Sequence, residues 1–201
     1  MDRGQQLSGI TCRPLTGADI PDLVDLLTQL RPTILRQSGR RGYRALLKHI
    51  LANRDGLAIV ALDGGRIIGY VLGARHWSRF KGRFVLRHPL LGIGSFARRR
   101  RDRADDVGEP DFPERSDGPE SGRIIHVGVA SGARRRGVGG ALYRAMARAM
   151  SELGLARMVA HIDQGNEASL SLHRAAGWTV TPAPDGFLAT RGLHEPAADD
   201  G

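Results

Sequence analysis

The sequence predicts an α/β (α+β) domain on a mixed sheet, and three observations carry that prediction. Two apolar runs, 57–62 and 67–74, are joined by Asp63-Gly64-Gly65, and Asp-Gly and Gly-Gly pairs favour the tight turn of an antiparallel hairpin. From residue 123 to 178 the pattern alternates strand, helix, strand, helix, which permits a parallel pair. The chain has 201 residues, 41% of them hydrophobic, a size at which one domain with a sizeable buried core is expected.

Taken in order, residues 1–9 are polar and predict a flexible N-terminus, and 10–13 read as a first strand. Thr16 to Asp19 form a helix entrance, and 20–30 an amphipathic helix with Leu23, Leu26, Leu27 and Leu30 on one face, ended by Pro32. A second helix is predicted from about Tyr43 to Ala52, followed by the hairpin. Between 76 and 122 the pattern breaks into an insertion, first basic and then acidic. Residues 77–96 mix Phe80, Phe84, Leu86, Leu90, Leu91, Ile93 and Phe96 with Arg79, Lys81, Arg83 and Arg87, as amphipathic helices broken near Pro89 would. Such a segment is a packed flap, a substrate-site lid or a membrane-surface element, and the sequence leaves all three open. Residues 98–103 are a charge run, and 104–122, acidic with three prolines, predict a flexible loop. Then come a strand at 123–129, a helix at 138–153, a strand at 157–163 and a helix at 169–176. Strand starts at 178–180 and 187–190 and a disordered tail at 194–201 complete the chain, so 10–193 form a single domain.

Composition narrows the function. No apolar run approaches the ~20 residues of a membrane span, and the first nine residues lack a signal-peptide core, so a cytoplasmic protein is expected. The lone Cys12 reads as a small strand hydrophobe rather than a nucleophile, and no metal site is visible. A formal charge of +9 would suit nucleic acid, but lysine occurs only at Lys48 and Lys81 and aromatics make up 5%, few for base stacking. No nucleic-acid partner is expected; an anionic substrate or membrane surface fits the charge equally well.

The most informative segment is Arg134-Arg135-Arg136-Gly137-Val138-Gly139-Gly140, between the strand-like Ile124-Ile125-His126-Val127-Gly128-Val129 and an alanine-rich helical run. Glycines let a backbone turn tightly and approach an anion, and the helix that follows points unpaired N–H groups at the same place, so the loop suits a pyrophosphate. A dinucleotide-binding fold would place its glycines after the first strand, and a P-loop would end in Gly-Lys-Ser/Thr where this chain has Gly139-Gly140-Ala141.

Arg134-x-x-Gly137-x-Gly139 resembles the acyl-CoA loop of the GCN5-related N-acetyltransferases (GNAT). The later run Asn-Glu-Ala-Ser-Leu-Ser-Leu-His-Arg-Ala-Ala-Gly-Trp, Asn166 to Trp178, looks like that family's late helix with its closing Gly-aromatic pair. The resemblance spans 10 to about 191 and is specific over 123–178. It implies a mixed, mostly antiparallel sheet splayed between the fourth and fifth strands, with helices on both faces. It also implies acetyl-CoA as acyl-donor substrate and direct transfer to a primary amine of a small molecule, an amino sugar, amino acid-like compound or antibiotic. A protein-lysine acetyltransferase and a regulatory or membrane-surface acyl-CoA-binding module are the alternatives. Among partners, a homodimer and a peripheral membrane contact through 77–103 stay open.

Carried onto this chain, the resemblance assigns main-chain groups of Val127 and Val129 to the pantetheine arm. It assigns the N–H groups of Arg135, Arg136, Gly137, Val138, Gly139 and Gly140, with the Arg134, Arg135 and Arg136 side chains, to the pyrophosphate, and Asn166 to positioning the arm. Seven residues after Asn166, where the family usually has a proton-donating tyrosine, stands His173. Leu172-His173 matches phosphinothricin acetyltransferase-like members, and an imidazole there is either a general acid or a helix residue packing beside the cofactor. The glutamate often found early in the fourth strand corresponds to Arg123, which cannot be a base. His126 is the nearest alternative, although a strand histidine commonly points into the core and a bulge would reverse it. His161, Asp163 through water, and bulk solvent also remain as proton acceptors.

Overall fold

A computed structural model describes residues 9–30, 38–91, 118–184 and 186–193. The expectations for the N-terminus before Gly9, for 92–117 of the insertion and for the tail after 193 lie outside the described residues.

The sheet has seven strands: β1 (Ile10–Pro14), β2 (Gly56–Asp63), β3 (Arg66–Ala74), β4 (Ser121–Val129), β5 (Arg157–Asp163), β6 (Thr179–Ala183) and β7 (Gly186–Gly192). Their order is β1-β2-β3-β4-β5-β7-β6. Only β4 and β5 run parallel; the other five pairings are antiparallel. Parallel neighbours need a crossover, and here it is α4 (Val138–Glu152). The remaining helices are α1 (Ile20–Leu30), α2 (Gly39–Ala52), α3 (Trp77–Arg87) and α5 (Glu167–Ala175).

Helices cover both faces, and each face has its own core. Leu23 and Leu27 of α1, Leu46, Leu47 and Ile50 of α2, and Phe80 and Phe84 of α3 pack on Val60, Tyr70 and Leu72. On the opposite face Leu142, Tyr143, Met146 and Met150 of α4 and Leu170 of α5 pack on Val71, Met158, Ala160 and Ile162. The strand alternation of large buried side chains is the two-residue period that gives a sheet two apolar faces. The β1–α1 corner is held by Asp19, which accepts from Arg13 at 2.6 and 2.8 Å and from Thr16 N–H at 2.8 Å; the guanidinium holds this carboxylate far below its usual range.

Two boundaries differ most from expectation. α2 starts at Gly39, four residues early, because Gly42 and Tyr43 are already buried. β4 starts at Ser121, inside the stretch expected to be acidic loop. Gly122 fits there because Met150 lies over it: a Cβ would stand 2.4 Å from the methionine sulfur. In the described part of the basic segment, 77–87 is one helix with Phe80 and Phe84 buried in the core and Leu86 exposed, and Arg123 stacks 5.5 Å from the Trp77 ring centroid. α3 ends at Arg87, with non-helical His88 as its cap immediately before Pro89, consistent with the restriction on the residue preceding proline. Among the described residues, no helix is long and apolar enough to cross a membrane.

Candidate active site

β4 and β5 pair only from Ser121↔Arg157 to Ile124↔Ala160. Beyond that, β4 continues against β3 as far as Val129↔Gly69, and β5 against β7 as far as Asp163↔Gly186. Each strand keeps its outer neighbour and loses the inner one, so the sheet opens between 125–129 and 161–163. Val127 and Val129 lie in the opened stretch of β4, half-buried. A backbone edge in such a place needs a hydrogen-bonding partner, and an extended ligand with amides of its own supplies one.

At the same end the chain leaves β4 through a short helical turn, Ser131–Ala133, and enters the arginine-glycine loop. Arg135 (φ +61°) and Gly137 (φ +76°) are both left-handed, a backbone sense that curls N–H groups toward one point. Arg136 is tied to Asp63 of the hairpin turn at 2.7 Å, and Arg134 Nε donates to the Val129 carbonyl at 3.4 Å. Arg135 is exposed and makes no ion pair with a described residue. The loop therefore has two anchored guanidinium groups and one turned to solvent.

α4 then begins on Gly137 with no side-chain cap and no acidic residue in its first turn. The first helical bond is Ala141 N–H to Gly137 C=O at 3.0 Å, which leaves the N–H groups of Val138, Gly139 and Gly140 ahead of it. Orphan donors, the positive end of the helix dipole and three cations fit a diphosphate. Gly139 has a different reason to be glycine. Its Cβ would lie 2.7 Å from Leu172 Cδ1, so it lets α4 and α5 approach closely.

The histidines separate onto the two faces. β4 carries a bulge: Leu72 pairs with His126 and Gly73 with Ile124, which leaves Ile125 as the extra residue. The bulge puts His126 on the α1–α2 face, where Tyr70 O–H and His126 Nδ1 are 3.1 Å apart and the rings stack at 5.7 Å. Desolvation pushes the His126 imidazole down to about 4, against a small opposing pull from Asp163, so it is neutral at physiological pH. Met158, Ala160 and Ile162 of β5 face α4, and alternation therefore sets His161 and Asp163 on the same side as His126. His161 Nε2 lies 3.9 Å from Asp163 Oδ1.

His173 is on the other face, 2% exposed. Its Nδ1–H donates to the Ser169 carbonyl at 2.7 Å, which leaves Nε2 to accept from Tyr143 O–H at 2.9 Å. Trp178 packs edge-on, 4.9 Å between centroids. Both ring nitrogens thus have protein partners, and burial lowers the imidazole's proton affinity. Asn166 Oδ1 accepts from Ser169 N–H at 3.1 Å as the N-cap of α5. Arg123, the counterpart of the family's glutamate, is in the closed part of the sheet opposite Val159.

Sequence reasoning missed Tyr70, Tyr143 and Asp63. Each is an ordinary strand, helix or turn residue locally, and each acquires its role from a partner 56, 30 or 73 positions away.

The acetyltransferase (GNAT) family model matches residues 21–178. No curated protein matches the chain by sequence. Among solved structures, ribosomal-protein-alanine N-acetyltransferase from Brucella melitensis is 19% identical with a TM-score of 0.58, covering 90% of this chain and 96% of that one. PaiA N-acetyltransferase from Thermoplasma acidophilum, solved with coenzyme A, is 13% identical with a TM-score of 0.59, covering 91% and 98%. SsHAT is 20% identical with a TM-score of 0.63, covering 93% and 100%. With the splayed β4–β5 pair and the glycine-led helix at its mouth, the chain belongs to the acetyltransferase (GNAT) family, acyltransferases whose acyl donor is acetyl-CoA.

Proposed function

We propose that this protein transfers the acetyl group of acetyl-CoA directly to a primary amine of a small molecule. The observation that carries the reading is one juxtaposition: the opening between β4 and β5 and the uncapped start of α4 lie at the same end of the sheet. Acetyl-CoA supplies an activated thioester carbonyl. The N–H groups of 135–140, with Arg134, Arg135 and Arg136, hold its diphosphate, and the main chain of Val127 and Val129 holds the pantetheine amides. Asn166, whose Oδ1 caps α5, keeps its Nδ2 for the arm.

The amine must arrive neutral and lose a proton as it attacks. His126 is the base in this proposal. In the tautomer that serves as base, Nδ1–H is donated to the Tyr70 oxygen and Nε2 carries the lone pair; Tyr70 is a positioning residue that holds the ring. His173 is assigned to fastening α5 onto α4 rather than to proton donation, because both its nitrogens are engaged.

Calorimetric titration of acetyl-CoA, followed by CoA-thiol release across a panel of amino sugars, amino acids, polyamines and aminoglycosides, tests the reading. Binding without thiol release from any amine overturns the small-molecule assignment. A polypeptide α-amine is the second reading, favoured by the ribosomal-protein-alanine enzyme among the structures sharing this fold. A peptide with N-terminal alanine in the panel decides between the two.

A further inference from the structure

The acyl-transfer reading leaves unused a groove between α2 and α3. Arg41, Arg44 and Lys48 recur at three- and four-residue intervals along α2 and so stand on one face. Arg87 and His88, where α3 ends, form the opposite wall, with the buried His49 beneath. The groove encloses about 370 Å³, and every titratable side chain lining it is basic. Nearby carboxylates are already committed, Asp55 to Arg83 at 2.8 Å and Asp25 to Arg40. Arg41, Arg44, Lys48 and Arg87 make no ion pair with a described residue. Burial first, and then the positive charges of His88, Arg87 and Arg83, hold the His49 imidazole below its ordinary range, against a raising hydrogen bond to the Phe80 carbonyl.

Three large hydrophobics among the described residues are exposed, and each stands within two residues in the chain of one that lines this groove. Leu51 (42% exposed) precedes Ala52 of α2, Leu86 (84%) precedes Arg87, and Leu90 (91%) follows His88 by two residues. Cations alone would suit any polyanion. Leucines beside them gain nothing from a polyphosphate chain but do gain from the acyl boundary of a bilayer, where cations meet headgroup phosphates. The end of the groove at His49 and Ala52 also lies away from the acyl-CoA end. α2 finishes next to Gly56, which pairs with Ala74, whereas the sheet opens at the other end of these strands, by Gly69 and Val129.

We propose that the α2–α3 groove, with Leu51, Leu86 and Leu90, is a docking surface for an anionic lipid bilayer, leaving the acyl-CoA opening uncovered.

Vesicle co-sedimentation tests this with the full chain, using phosphatidylcholine alone and phosphatidylcholine with one-third phosphatidylglycerol. Binding is expected only to the anionic vesicles and should weaken with salt. The triple charge reversal Arg41→Glu, Arg44→Glu, Lys48→Glu should cost about 100-fold in vesicle affinity. The uncharged pair Leu86→Ser, Leu90→Ser should cost about tenfold while leaving heparin affinity unchanged. All five positions are away from the cofactor loop, so unchanged acetyl-CoA affinity certifies the fold of each variant. No binding of wild type to anionic vesicles overturns the proposal. So does vesicle binding indifferent to the leucine pair and displaced by heparin, which would make the groove a soluble-polyanion site.

Discussion

Two helices begin at the open end of the sheet, and they finish their N-termini in opposite ways. α5 starts on Asn166, whose Oδ1 takes the Ser169 N–H at 3.1 Å, and Glu167 in the first turn complements the positive end of the helix dipole. α4 starts on left-handed Gly137 with no cap, no acid and three arginines just before it. A side-chain cap contributes about 1 kcal/mol, so a helix without one forgoes stability unless something else meets its donors. The contrast bears on the proposed diphosphate site: α5 satisfies its own start, and α4 leaves its first turn without a protein cap, as the proposed anion requires.

The largest expected effect breaks α4's side of the contrast. Gly137→Glu sets a carboxylate among the orphan donors and should lower acetyl-CoA affinity by more than about 100-fold in calorimetry. Gly137→Ala is its control. An L-residue at φ +76° costs about 1–2 kcal/mol of stability but adds no charge, so most of the affinity should survive. Equal losses in the two variants would trace the effect to backbone strain and remove the electrostatic argument.

Acid tests the two histidines on either side of the opening. Both imidazoles titrate below their ordinary value in the folded chain, His126 near 4 and His173 lowered by burial. The unfolded chain then binds more protons than the folded one below about pH 6.5, so stability rises with pH across this window and is lost as pH falls. For His126 the loss is at most about 3 kcal/mol by pH 4. Urea denaturation at pH 7 and pH 5 should show the drop, and His126→Gln should flatten it. In kinetics, a His126 base predicts an acid limb of kcat/KM well below pH 6. A limb near 6.5 would point to a group other than this desolvated imidazole.

His173→Phe sharpens the role of α5. If His173 fastens the helices, removing it strands the buried Tyr143 hydroxyl and costs about 2 kcal/mol, with kcat changed less than about threefold. A kcat fall of tenfold or more at unchanged stability would restore the imidazole as a proton donor.

Much of this was legible in the sequence, because the legible parts are local. α1 follows the leucine period, the hairpin follows Asp63-Gly64-Gly65, and the arginine-glycine loop stands between strand and helix as the motif requires. What was not legible depends on a distant partner. The first turn of α2 offers Gly-Arg-Arg-Gly, without apolar period, and is helical because Gly42 and Tyr43 are buried beneath it in the tertiary structure. The face that His126 occupies turns on one extra residue, Ile125, which alternation alone cannot reveal. Gly139 looked like a phosphate glycine, and the reason a Cβ cannot fit is Leu172, one helix away.

The smallest effect tests α5's side of the comparison. Asn166→Ala removes the cap and should lower stability by about 1 kcal/mol, read as a shifted denaturation midpoint. Asn166→Asp restores the cap, since a carboxylate accepts the same Ser169 N–H, but it removes the Nδ2 donor proposed for the pantetheine arm. The pair therefore separates the two jobs of one side chain. If capping is the whole role, Asp recovers both stability and acetyl-CoA affinity. If the amide also holds the arm, Asp recovers stability alone while affinity stays several-fold weaker, by about 1 kcal/mol for one lost hydrogen bond. The second pattern would make α5 a helix that satisfies its own start and still contributes to the site, which narrows the contrast with α4 from two kinds of helix to two uses of one end of the sheet.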